Sequence, residues 1–344
     1  MPTRPCWVEI RTRSLEDNFR FLASLAAPHA ELLAIVKADA YGHSLDLCAP
    51  AVVRAGARWL GVTCAEEGVA ARALCPEAQI LVIGGVFPGQ GAEVVRRGLT
   101  AVVWEPAQLE ELEGAARAAG LRAASLPVHL EIDTGMSRQG VDLDALGSLL
   151  ARFHPSSPLR LDGVMTHLFA ADEADGRATE EQLARMEQAL RKIEAAGVYP
   201  EWLNVGQSAA LLTGQAARIA TLAARHGMKA MLRPGLALYG LAPEFDPDFE
   251  SEEPPELAAA RLQLQPVLAW KCRVGECALT RLNDATQILG AHDVLNGLRI
   301  LKGHGFRSGQ WHFGVGGFEH AHLLEGDLDG QGELAHFSFV YLGR

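Results

Sequence analysis

The chain has 344 residues, 49% of them hydrophobic, and a formal net charge of -11. That length suits one large domain plus a smaller one, and the apolar share suits a sizeable core. The acidic balance argues against nucleic acid or an anionic membrane as the main partner.

The N-terminus, Met1-Pro2-Thr3-Arg4-Pro5-Cys6-Trp7, lacks the apolar core of a signal peptide, and no apolar run is long enough to span a bilayer. A cytoplasmic protein is expected. From about residue 30 to 240, short apolar runs alternate with helical stretches. The runs are 32–36, 59–62, 80–83, 101–104, 127–132, 161–165, 202–205 and 231–232. Helix-like segments lie between them, such as 106–119 and 179–196, the second rich in good helix formers. Eight β–α alternations predict an α/β fold, a parallel (β/α)8 TIM barrel inside a ring of helices. An open doubly wound sheet is the alternative. Its first turn usually carries Gly-x-Gly-x-x-Gly, and Ile83-Gly84-Gly85-Val86-Phe87-Pro88 does not fit that pattern.

The texture changes at Pro243. Residues 243–256 are acidic and proline-rich and read as a linker or surface loop. Residues 262–274 look strand-like. No proline follows Pro266, and the glycine-rich tail holds His292, His304, His312, His320, His322 and His336. His320 and His322 could pair on a metal, but no carboxylate or cysteine cluster stands at a familiar spacing. The cysteines at 6, 48, 64, 75, 272 and 277 form no C-x-x-C pair, so reduced thiols are expected. The expected division is a barrel domain over 1–243 and a smaller, mostly β region over 244–344.

Polar groups collect where the expected strands end, which is where barrels place their chemistry. Lys37 and Tyr41 follow the first strand, and Asp133 to Arg138 the fifth. Thr166 and His167 follow the sixth, Asn204, Gln207 and Ser208 the seventh, and Arg233-Pro234-Gly235-Leu236 the eighth. A lysine at a buried strand tip is poorly solvated, and its neutral amine forms a Schiff base with an aldehyde cofactor. Taken singly, each has an ordinary reading. Lys37 could reach solvent, His167 could pack, Arg138 could pair at the surface, Ser208 could cap a helix, and Tyr239 reads as core. The ordered set favours a site.

The segment Ala34-Ile35-Val36-Lys37-Ala38-Asp39-Ala40-Tyr41-Gly42-His43 resembles the cofactor-lysine motif of alanine racemases, the fold-type III pyridoxal phosphate enzymes. Ile132 to Gly140, Thr166-His167-Leu168, Gln207-Ser208-Ala209-Ala210 and Leu232 to Gly240 follow in that family's order. Arg4 to Ile10 resembles its opening strand. The match covers about residues 4–272. It implies a barrel plus a C-terminal β-domain, a head-to-tail homodimer, pyridoxal 5'-phosphate as cofactor and alanine as substrate, in a cytoplasmic role making D-alanine for cell-wall precursors.

It further implies that Lys37 carries the cofactor and serves as one of two bases. Ser208, Gly235 and Leu236 would hold the phosphate, Arg233 would face the pyridine nitrogen, and Tyr41 and His167 would lie against the cofactor. Arg138 would meet the cofactor's ring oxygen and the substrate carboxylate side. Where many relatives have a carbamylated lysine, this chain has Glu131, expected to form an ion pair with Arg138. Asn204-Val205-Gly206-Gln207 also departs from the family pattern, leaving the partner of Arg233 open.

Beyond about residue 272 the resemblance stops, and the tyrosine that serves such racemases as second base has no counterpart. The chain's tyrosines are 41, 199, 239 and 341. The tail is a divergent fold with Tyr341 or a histidine as replacement base, or it belongs to a homologue that no longer racemises, or a slip of reading frame near codon 272 produced it. Two other readings are a non-catalytic pyridoxal phosphate carrier or homeostasis protein, and another fold-type III enzyme such as a decarboxylase.

Overall fold

The computed structural model describes residues 6–173, 176–243, 255–272, 324–328 and 334–339. Its strands are β1 Cys6–Ile10, β2 Ala30–Ile35, β3 Trp59–Val62, β4 Gln79–Val82, β5 Thr100–Val103 and β6 Leu126–Glu131. They continue with β7 Leu159–Thr166, β8 Trp202–Gln207, β9 Lys229–Arg233, β10 Leu268–Cys272, β11 Leu324–Leu328 and β12 Leu334–Phe339. Strands β2 to β9 close into a parallel barrel, β2 pairing with both β3 and β9. All eight expected runs are barrel strands.

Burial explains why these runs are apolar throughout. A barrel strand has one face inside and the other under helices, so neither face meets water. Leu33, Ile35, Trp59, Leu81, Val102, Met165 and Met231 form one buried cluster, while the alternate residues Leu32 and Ala34 are buried as well. Helix Thr12–Ala26 shows the matching 3.6-residue stripe, burying Leu15, Asn18, Phe19, Leu22 and Ala26. Its buried Asn18 donates to the carbonyls of Leu238 (2.9 Å) and Gln265 (2.8 Å) and accepts from the Gln265 N–H (2.8 Å).

The chain divides into two compact units, Thr12–Gln265 and Met1–Arg11 with Pro266–Arg344. Where the sequence suggested a division at 243, these units part at Arg11 and Gln265. The reason is that β1 pairs antiparallel with β10, in the sheet order β1-β10-β12-β11. The strand expected over 262–274 is shorter. Leu262 and Gln263 end a helix, Pro255–Gln263, and the strand is Leu268–Cys272. Pro255, read as linker, opens that helix, where its missing N–H costs nothing. Tyr341 and the histidines 292, 304, 312, 320 and 322 lie outside the described residues, as does the tail's reading frame. Among the described residues no acidic, histidine or cysteine cluster could hold a metal, and no helix is long and apolar enough to cross a membrane.

One core residue is unusual. His129 is fully buried in β6, and neither ring nitrogen has a partner among the described residues. Its ring centroid is 6.1 Å from that of Trp59, and Gly163 stands opposite because any Cβ there would strike the imidazole. Burial, reinforced by Arg233, pulls its pKa down to about 3. The unfolded chain therefore binds a proton that the native ring refuses, and stability rises with pH from about 3 to 6.5. His129→Leu is expected to flatten the dependence of the urea-unfolding free energy on pH between about 4 and 6.5. An equally steep slope in the variant would show that other groups set it.

Candidate functional site

The C-terminal ends of β2, β6, β7, β8 and β9 bring the candidate residues to one mouth of the barrel. Lys37 follows β2 after Val36 and is half-buried. Its Nζ lies 5.9 Å from the centre of the Tyr41 ring and makes no hydrogen bond or ion pair among the described residues. Burial chiefly, then the charges of Arg138 and Arg233, lower the amine's pKa, and Glu67 opposes them. A larger fraction of neutral amine is the consequence, and a neutral amine is a nucleophile and a base.

The backbone after Lys37 takes a form that the sequence does not announce. Within Lys37–Gly42, residues Ala38, Asp39, Ala40 and Tyr41 are all left-handed, with φ of 52°, 52°, 57° and 55°. Each such residue costs about 1–2 kcal/mol in this conformation. The turn persists because its surroundings hold it. Glu67 accepts from the N–H groups of Ala38 (2.8 Å) and Thr63 (2.7 Å). Asp39 accepts from the Leu45 N–H at 2.7 Å. Tyr239 donates to the Ile35 carbonyl at 3.0 Å, and its ring packs on Tyr41 and His43. Tyr239 is thus buried core, as its sequence context suggested. Tyr41, whose phenol burial pushes upward in pKa, reaches Gly235, where an added Cβ would fall 2.5 Å from the hydroxyl.

Arg233 ends β9 almost fully buried. Its Nη1 donates to Oδ1 (2.6 Å) and the carbonyl (2.7 Å) of Asn204, and Nη2 donates to the Thr166 carbonyl at 2.8 Å. Asn204 is therefore its orienting partner. Nη2 also lies 3.4 Å from His167 Nδ1. Burial pulls the guanidinium down to about 10, which leaves it charged at neutral pH. His167 is pulled down to about 3, by burial first and then by Arg233, Arg138 and Lys37. It is a neutral imidazole throughout the ordinary working range.

Ser208 is not a helix cap. Its Oγ accepts from the N–H groups of Gly235 (3.0 Å) and Ala237 (3.1 Å), tying the end of β8 to the turn Leu236–Tyr239. Leu236 opens that turn with its side chain exposed. The first N–H groups of a helical turn have no acceptor within it.

The ion pair expected between Glu131 and Arg138 is not formed. Glu131 is buried and accepts from Gln139 Nε2 at 2.5 Å, while Arg138 is exposed and bonds none of the described residues. A buried carboxylate takes the donor that can be buried with it, and an arginine kept in water supplies none. Burial raises the Glu131 pKa, opposed chiefly by Gln139. Sequence reasoning also passed over Glu67, Gln139 and Gln182. Gln182 donates to His167 O (2.9 Å) and Thr134 Oγ1 (3.1 Å) and accepts from the Phe169 N–H (3.0 Å), which fixes the ends of β6 and β7. Only Glu67 carried a signal, as an acid in the first turn of the helix after β3.

The family profile described as alanine racemase, N-terminal domain, matches residues 10–243. An alanine racemase of Symbiobacterium thermophilum is 36% identical over 273 residues, covering 79% of this chain and 66% of its own length. The solved alanine racemase of Streptomyces coelicolor A3(2) is 32% identical with a TM-score of 0.67, over 86% of this chain and 70% of that one. A structure of the Bartonella henselae alanine racemase with covalently bound pyridoxal phosphate, 24% identical, shares the fold with a TM-score of 0.62, over 79% and 67% of the two chains. The matched part spans 59–66% of the length of the first three curated relatives.

Proposed function

This chain belongs to the alanine racemase family, and we propose that it binds pyridoxal phosphate through Lys37 and interconverts L- and D-alanine. The observation that carries this reading is the free, half-buried amine of Lys37 facing a cradle of Tyr41, His167, Arg233 and Gly235. The residues fit the cofactor. Glycine at 235 lets the buried backbone pass close beside the Tyr41 hydroxyl, Ser208 gathers the Gly235 and Ala237 N–H groups at the start of the Leu236 turn, and Arg233 presents a rigid cation.

When bound, pyridoxal phosphate supplies a conjugated ring that accepts electron density from the substrate Cα. Lys37, with its lowered pKa, would take or deliver the Cα proton on one face only. Arg233 is held by hydrogen bonds to Asn204 and Thr166 and keeps its proton at working pH, so it would face a ring nitrogen without protonating it. His167, held neutral, would lie beside the cofactor without adding charge. Arg138, exposed at the rim with no competing partner among the described residues, would meet the substrate carboxylate.

Racemisation also needs a proton donor on the opposite face. We assign that group to residues outside those described or to a partner subunit in a homodimer. Without it, turnover falls by about 10²- to 10⁴-fold, the usual worth of one general acid or base. We place the activity in the cytoplasm, supplying D-alanine for cell-wall precursors. A cofactor-binding protein that does not racemise is the second reading.

The deciding experiment is conversion of L- to D-alanine by the purified chain, run beside borohydride trapping and peptide mapping. Conversion with label at Lys37 is the expected result. Label without conversion selects the second reading, and a colourless, unlabelled protein sinks both.

A further inference from the structure

We propose that Gln139 is the positioning residue for Arg138, holding the turn that carries it by a tether between two barrel strands. The inference rests on the reading of Arg138 as the carboxylate-meeting group. The two N–H bonds of one amide are both used. Gln139 Nε2 donates to Glu131 Oε2 at the end of β6 (2.5 Å) and to the Ile83 carbonyl just beyond β4 (3.2 Å). One acceptor is a buried carboxylate and the other is main chain just past the end of a strand two places round the barrel.

The segment between these anchors is a tight return. Asp133 Oδ1 accepts from the N–H groups of Gly135 (2.9 Å) and Ser137 (3.1 Å), and Ser137 is left-handed at φ 55°. At Gly140, φ is 113° and an added Cβ would fall 2.6 Å from the Asp133 nitrogen, so the chain there must be glycine. The Val141 N–H then bonds the Glu131 carbonyl at 2.9 Å. Arg138 therefore sits on a loop closed by backbone bonds at its base and by the Gln139 amide near its tip. Nothing holds the guanidinium directly: it bonds none of the described residues, yet its charge is felt at Lys37, His167, Arg233 and Glu131. Arg138 is placed through the backbone of its neighbour.

Gln139→Leu removes the donor, and the swap Glu131→Gln with Gln139→Glu restores a hydrogen bond with its ends exchanged. Both are made in the full chain loaded with pyridoxal phosphate. Tryptic cleavage after Arg138, followed by peptide mass, reads the tether without any reaction. Gln139→Leu is expected to be cut about tenfold faster than the parent, as local opening becomes easier. The KM for alanine is expected to rise about tenfold, the lower range for one hydrogen bond to a charged group. The kcat should stay within about threefold, because the cofactor anchors are untouched. The swap should recover most of the KM.

Unchanged cleavage with unchanged KM overturns the proposal, as does faster cleavage with unchanged KM. Equal loss in kcat and cofactor binding that the swap does not repair reduces Gln139 to a packing residue and also overturns it. If Gln139→Leu does not fold, the swap decides alone: a parental KM supports the tether and a KM raised about tenfold rejects it. If the parent does not turn over alanine, the reading of function has failed. The tether is then judged on cleavage rates in Gln139→Leu and the swap.

Discussion

Lys37→Ala is expected to abolish covalent attachment of pyridoxal phosphate and to lower racemisation by about 10⁴-fold or more, since a nucleophile and a general base disappear together. The amine is the only candidate nucleophile facing the mouth whose pKa is lowered while its nitrogen remains free of hydrogen bonds among the described residues. Stability should hardly change, because the side chain is half-buried and bonds nothing in that set. The measurement combines absorbance of the loaded protein, reductive trapping with peptide mapping, racemase rate and a urea melt. Turnover within about tenfold of the parent would show that another group is the base.

Arg233→Met acts on fold and site at once. The hydrogen bonds to the Asn204 amide oxygen, the Asn204 carbonyl and the Thr166 carbonyl vanish inside the barrel, where both residues are buried. Asn204 Nδ2 already lacks a partner there. Leaving buried acceptors unmade costs about 1–3 kcal/mol each before relaxation. A net loss of about 3 kcal/mol or more is therefore expected, lowering Tm by about 6–12 °C in a domain of this size. Arg233→Lys keeps the charge but not the planar fork, so it should recover cofactor affinity only in part. Thermal unfolding with and without pyridoxal phosphate separates the two losses. A variant as stable as the parent would mean that Asn204 and Thr166 find other donors.

Periodicity carried the barrel. Strands buried on both faces are continuous apolar runs, so β2 to β9 could be counted from composition alone, and each chemistry-bearing residue could be assigned to a strand end. The runs also read slightly short, because charged ends such as Lys229 are exposed at the rim and break the apolar pattern before the ladder stops. The segment around Leu262 was misread for a related reason: a short alanine-rich helix with one apolar side and a short strand look alike over a few residues.

Sequence alone determined the order of the strands, the position of Lys37 at a strand end and the family, since these depend on hydrophobic period and local motif. Tertiary structure decided everything that needs two segments far apart in the chain. It set the left-handed path of residues 38–41, which Glu67 holds from the helix after β3. It chose Asn204 for Arg233, and Gln139 over Arg138 for Glu131. The physical reason is that a buried charge is satisfied by whichever donor the closed barrel can bring to it out of water, and no local pattern encodes that competition.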